Sequence, residues 1–178
     1  FPRPSWDSLP VSSELGLPTE TWWELMDRRR TYTELASEAK AGKISSGDLA
    51  VRANVDLETL AVDIIDALDS HADVLAAWRC LSGLKVLDPT CGSGAFLFAA
   101  LNILHRLYSA VLDAAIIHSQ TSGDSVLKDL LDSAKSHPNQ DYFLLKHAAL
   151  NNIYGVDLMP EAVEIARLRL FLKLISQV

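Results

Sequence analysis

The sequence predicts an α/β protein, with a helical N-terminal region over 1–82 leading into a parallel α/β region over 83–178. Three observations carry this. Two short runs, Lys85–Leu87 and Ile153–Val156, have strand character, and an acidic residue, Asp88 or Asp157, follows each. Helical periodicity fills the interval between them, as a crossover between parallel strands requires. A hydrophobic share of 49% over 178 residues supports a packed core and excludes general disorder.

The N-terminal elements follow from local signals. Pro2, Pro4, Pro10 and Pro18 make residues 1–18 an extended lead-in. The chain starts at Phe1 rather than Met and is read as an excised piece. Thr19 is placed to cap a helix that begins near Glu20, reaches Ala41 and stops at Gly42. Trp22, Trp23, Met26, Tyr32 and Leu35 are expected on its buried side. Arg28, Arg29 and Arg30 read as a solvated face rather than a phosphate contact, because the chain is acidic. Residues 44–54 are weakly patterned, with turn residues at 45–48. Asp56 caps the next helix, where Leu57, Leu60, Ala61, Ile64, Ile65 and Leu68 recur at helical spacing. Ser70 caps a shorter helix that runs through Leu81 and stops near Gly83.

The stretch KVLDPTCGSGAFLF, residues 85–98, organises the rest of the chain. Pro89 has no amide hydrogen for a ladder and ends the first strand. Cys91-Gly92-Ser93-Gly94 forms a tight loop, and Ala95 opens a long helix. Phe96, Leu97, Ala100, Leu101, Leu104, Tyr108, Val111, Leu112 and Ala115 hold one face of it to about His118. A polar loop at Gln120–Ser125 leads to a helix over Val126–Ser136. His137-Pro138-Asn139 breaks the chain before another helical segment, Asp141–Leu150. After the second strand, Pro160 suits a first helical turn. Glu161 and Glu164 suit its positive end, and Arg167, Arg169 and Lys173 lie towards its other end.

A strand, a small-residue loop and a helix N-terminus gather free backbone N–H groups at one point. An ordinary strand–turn–helix connection has the same composition. No Lys follows the second glycine, so this is not an ATPase-type phosphate loop. Leu97 stands where a dinucleotide fingerprint needs its third glycine, which disfavours a dinucleotide-dependent oxidoreductase. Cys91 reads as a small, adaptable residue in a crowded turn. Asp88 and Asp157 both fall at the carboxyl ends of parallel strands, where ligands of such folds sit. Each alone also reads as a turn residue or a helix cap. Both around one glycine turn point to a nucleoside site, with Asp157 accepting from ribose hydroxyls. The interval from Gly94 to Asp157 exceeds the roughly 20 residues of a simple unit. A helical insert at about 120–150 accounts for it.

Composition narrows the partners. The net charge is −7, whereas surfaces that hold nucleic acid are usually basic, so any main DNA-gripping surface is expected elsewhere. Five histidines show no paired ligand spacing, and no metal site is expected. Cys80 and Cys91 make no disulfide framework, which suggests a reducing cytoplasm. No secretory signal is visible, and no apolar run is judged long and charge-free enough to span a membrane.

LDPTCGSGAFL resembles motif I of the adenine-specific DNA methyltransferases that methylate the exocyclic amino group. IYGVDLMPEAVEIARLRLFL is similar to the segment those enzymes carry around their ribose-binding acid. The pair, joined by a long helical insert, resembles most the large fused restriction–modification (type IIG-like) and phage-defence methylases. The likeness is specific over 85–101 and 151–174. It implies that 83–178 is the first part of a Rossmann-like methyltransferase domain that binds S-adenosyl-L-methionine. By this resemblance Asp88, Pro89, Thr90, Cys91, Gly92, Gly94 and Phe96 belong to the cofactor-binding loop. Asp88, Cys91, Gly92 and Gly94 would line the methionine end. Asp157 would hold the ribose hydroxyls, and Leu158 would pack on the adenine ring. Related enzymes often carry an upstream cofactor contact with a Thr-Pro pair. None occurs near 50–70, and Asn54–Leu60 is the suggested equivalent.

Such enzymes catalyse through Asn-Pro-Pro-Tyr or Asn-Pro-Pro-Phe, which holds the flipped adenine. His137-Pro138-Asn139 does not match, and the chain stops at Val178. The expectation is therefore a cofactor-binding part without catalytic residues, inactive alone, whose parent grips DNA mostly through other regions. The alternative is a non-catalytic nucleotide-binding or assembly module. A parent that continues into Asn-Pro-Pro-aromatic would exclude it. Two strands alone leave a sheet edge uncovered, which predicts self-association or a loosely ordered cofactor loop.

Overall fold

The computed structural model describes residues 20–43, 47–119, 125–137 and 139–177. The expected lead-in over 1–18 and most of the loop at 120–125 lie outside the described residues. The chain divides between Ala67 and Leu68 into two compact units.

The first unit holds α1 (Trp22–Lys40), α2 (Gly47–Arg52) and α3 (Leu57–Asp66). Thr21, not Thr19, caps α1. Its hydroxyl accepts from the Glu24 N–H at 3.4 Å, and the Glu24 carboxylate accepts from the Thr21 N–H at 2.8 Å. That reciprocal box needs a glutamate three residues on, where Thr19 has Trp22. The buried side of α1 also differs from expectation. Leu25, Arg28, Thr31, Tyr32 and Leu35 form it, while Trp22, Trp23 (80% exposed) and Met26 face outward. One stripe at 25, 28, 32 and 35 satisfies the helical period, and the tryptophans fall off it. Arg28 is not on a solvated face. It lies 6% exposed in a forked pair with Glu20, Nε to Oε1 and Nη2 to Oε2 at 2.7 Å each.

α2 forms within the weakly patterned stretch 44–54, since six residues are too short to show a period. Asp56 caps α3 as expected, accepting from the Glu58 and Thr59 N–H groups at 3.1 Å. Leu60, Val62 and Ile65 are the buried positions of α3, Leu57 is exposed, and Leu68 lies beyond its end. Tyr32, Leu35, Ala50, Val55 and Leu60 form the core of this unit. The Tyr32 hydroxyl donates to the Asp63 carboxylate.

The second unit runs α4 (His71–Gly83), β1 (Val86–Asp88), α5 (Ala95–Ser119), α6 (Ser125–Lys135), α7 (Gln140–Asn151), β2 (Ile153–Gly155) and α8 (Pro160–Ile175). Ser70 caps α4, and Pro160 opens α8, both as expected. β1 and β2 pair in parallel, with Val86, Leu87 and Asp88 opposite Ile153, Tyr154 and Gly155. The second unit is thus mostly helical around a small parallel sheet. α5 packs against α4, α7 and both strands. It buries Leu97, Leu101, Leu104, Tyr108, Val111, Leu112 and Ala115, but Phe96 is exposed. By length and composition alone α5 could cross a membrane, which corrects the expectation that no run was long enough. Here it serves as the core helix, with Arg106 and Asp113 on its exposed side.

Asn152 locks α4, α5 and the sheet together. It is 0% exposed. Its amide donates to the Leu81 and Leu84 carbonyls at 2.7 and 2.9 Å, and its oxygen accepts from the Tyr108 hydroxyl at 3.0 Å. Its own carbonyl takes the Val86 N–H at 2.7 Å and starts the ladder.

Candidate functional site at the strand ends

The ladder continues one step past each strand. The Val156 N–H donates to the Asp88 carbonyl, and the Cys91 N–H donates to the Val156 carbonyl, both at 2.9 Å. These bonds fold the residues after β1 against those after β2. The loop then turns sharply, with the Gly94 N–H on the Cys91 carbonyl at 2.7 Å. Gly92 has φ +48° and Gly94 φ +79°, a region that favours glycine. Gly155 has a different reason to be glycine. A Cβ there would meet Leu97 Cδ1 at 2.7 Å and Cys91 Sγ at 3.1 Å.

Asp157 joins the two halves. Its Oδ1 accepts from the Met159 N–H at 2.9 Å and its Oδ2 from the Gly92 N–H at 2.8 Å. The Met159 bond first, and the Gly92 bond next, hold this carboxyl below its ordinary range, so it is ionised at neutral pH. Asp88 turns its Oδ1 to the Thr90 N–H at 3.1 Å and shapes the start of the loop.

The sequence-derived site residues fall into two groups. Asp88, Cys91, Gly92, Gly94 and Asp157 converge in one hydrogen-bonded knot, with Cys91 and Gly94 buried. Pro89, Thr90 and Phe96 are exposed around it, and Leu158 is 100% exposed. Asn54–Leu60 belongs to the first unit, where Asp56 caps α3 and Val55 and Leu60 are core.

Two residues at the knot escaped sequence reading. A Cβ on Gly94 would stand 2.9 Å from the Ala166 Cβ, so α8 lies directly against the loop. Arg169 Nη1 donates to the Ser93 hydroxyl at 3.1 Å and reaches the Ser93 carbonyl at 3.3 Å. The available signal was the spacing of Ala166 and Arg169, which puts both on one helix face.

Residues 65–176 match the family model of the MmeI DNA-methyltransferase domain. The chain belongs to that family. Two curated relatives agree with the assignment. Over 87 residues, 49% of this chain, it is 34% identical to the adenine-specific methyltransferase PglX of Streptomyces coelicolor. Over 100 residues, 54% of this chain, it is 34% identical to RM.MjaORFECS2P, a putative type II restriction enzyme and methyltransferase of Methanocaldococcus jannaschii. The aligned stretches are 5% and 6% of those proteins' own lengths. No solved structure matches the chain. In this MmeI-family domain the matched region includes both strands, the glycine loop and all of α8.

Proposed function

We propose that this chain carries the S-adenosylmethionine-binding part of a site-specific DNA adenine methyltransferase in a restriction–modification or phage-defence system. Residues 83–178 are then the first part of a Rossmann-like domain. The observation that carries this reading is the ionised Asp157 at the end of β2, tied to Gly92 of the glycine loop at the end of β1. The Met159, Gly92 and Leu158 N–H groups all bear on the Asp157 carboxylate, and an ionised carboxylate has about four acceptor sites. It can therefore still accept a ribose hydroxyl. No atom lies within 4 Å of where a Gly92 side chain would begin, which leaves bare backbone facing open space. The exposed Leu158 offers an apolar surface to a purine ring. When bound, S-adenosylmethionine supplies the methyl group for the exocyclic amino group of adenine. The residues here bind and orient, and transfer belongs to other parts of the parent. Contact with DNA through those parts, and a cytoplasmic location, complete the proposal.

Calorimetric titration with S-adenosylhomocysteine tests it. Wild type should bind, and Asp157→Ala should lose affinity by tenfold or more, as expected for hydrogen bonds to a charged group worth about 1.5–3 kcal/mol. Equal affinity in the two proteins would remove Asp157 from the site. Self-association belongs to the same reading. Among the described residues the sheet has only two strands, so its outer edges have no strand partner to complete the ladder. Sedimentation velocity should show a concentration-dependent dimer, and a monomer at every concentration would count against it.

A further inference from the structure

Three consecutive loop residues are each held by the segment that follows β2. Gly92 gives its N–H to Asp157, Ser93 receives Arg169, and Gly94 rests on Ala166. The last two holds come from α8, three residues apart. Gly94 has no side chain to anchor it and adopts φ +79°, so nothing within the residue restores its conformation if the contact is lost. We infer that Arg169 is a positioning residue for the cofactor loop: with Ala166 beneath Gly94, it clamps Ser93 and sets how tightly the loop binds its ligand. This rests on the cofactor reading above, and it adds a residue outside the strand ends to that site.

The geometry gives Arg169 this role rather than a packing role. Arg169 lines an open, mainly apolar pocket of about 500 Å³, together with Ala95, Phe98, Leu172, Lys173 and Ser176. Truncating an exposed side chain there opens no core cavity. Arg167 provides the contrast. Two residues earlier on α8, it pairs with Glu164 at 2.8 Å. Both arginines are exposed and carry the same charge, so they separate clamping from general electrostatics.

The test compares wild type, Arg169→Ala, Arg169→Lys and Arg167→Ala by two readouts. The first is affinity for S-adenosylhomocysteine. The second, made without ligand, is amide hydrogen exchange of peptides covering 88–96. Arg169→Ala should weaken binding roughly fivefold and speed loop exchange, at unchanged circular dichroism. Arg169→Lys, which keeps the charge and N–H donors but not the planar guanidinium, should recover part of both, and Arg167→Ala should match wild type. Arg169→Ala with wild-type affinity and exchange overturns the clamp and leaves the cofactor site standing. Equal weakening by both alanine variants also overturns it, because charge alone would explain the loss. If wild type does not bind, the cofactor reading falls together with the affinity half of the inference. The exchange comparison then still decides whether Arg169 holds the loop.

Discussion

Thr19 and Thr21 have the same side chain, yet only Thr21 has a glutamate three positions on. The Glu24 carboxylate receives the Thr21 N–H and hydroxyl at 2.8 and 2.7 Å. Those bonds, the backbone one first, hold Glu24 below its ordinary range. Thr21→Ala should therefore cost about 1 kcal/mol, read as a lower urea midpoint at pH 7, with Thr19→Ala near neutral. An equal loss from both would disprove the assignment. At this scale the sequence was legible where a pattern is local. Asp56, Ser70 and Pro160 took their expected places because a cap depends on its next few neighbours. Ala166 and Arg169 were not legible, because their partners Gly94 and Ser93 are over 70 residues away along the chain. Only the docking of α8 decides that they meet.

Among the elements, α4, α5 and β2 depend on one side chain. Asn152 satisfies the carbonyls that end α4, takes the Tyr108 hydroxyl of α5 and leads directly into β2. Asn152→Leu would remove all three bonds, leaving the Leu81 carbonyl only the Leu84 N–H at 3.1 Å and the Tyr108 hydroxyl only Ser82 at 3.5 Å. The expected loss is about 3 kcal/mol, at the upper end of what unsatisfied buried groups cost. Denaturant unfolding followed by near-ultraviolet circular dichroism measures it, and a loss under about 0.5 kcal/mol would show that the network relaxes freely. The helices here were readable from apolar periods, and both strands from position and end residues. The buried side of α1 was misread because bulk stood in for phase: Trp22 and Trp23 are more apolar than Arg28 and Thr31 but lie off the stripe. Arg28 could be buried because Glu20, just before α1, neutralises it, a pairing that composition does not reveal.

At the scale of the whole molecule, acid should act through His147. Its Nε2 meets the Ser82 hydroxyl at 3.1 Å, and the Trp78, Tyr108 and Phe143 rings lie around it. Burial pushes its pKa below the usual value. The unfolded chain then binds the proton more readily, so the second unit should lose stability as pH falls below about 6.5, and this loss ends below the folded pKa. Glu24 and Asp157 are depressed carboxyls. Their contributions are complete above the ordinary carboxylate range and are lost below about pH 4 as each protonates. Melting temperatures between pH 7.5 and 5 should fall, and less steeply in His147→Gln. A flat profile in wild type would exclude this role for His147. The parallel pairing was legible because strand, crossover and strand appear in order. The small extent of the sheet was not, since three-residue strands carry almost no period of their own.

The close approach of Gly155 to Cys91 has a consequence for thiol chemistry. The chain has two thiols, an exposed one on α4, Cys80, and the buried Cys91 that begins the glycine loop. An alkylating reagent can reach Cys80 at any moment. It reaches Cys91 only after the loop lifts off Gly155, so the slower labelling rate counts how often the loop opens. A ligand seated on the loop would lower that rate and leave the Cys80 rate unchanged. The chain therefore carries its own clock for loop opening beside its own reference thiol.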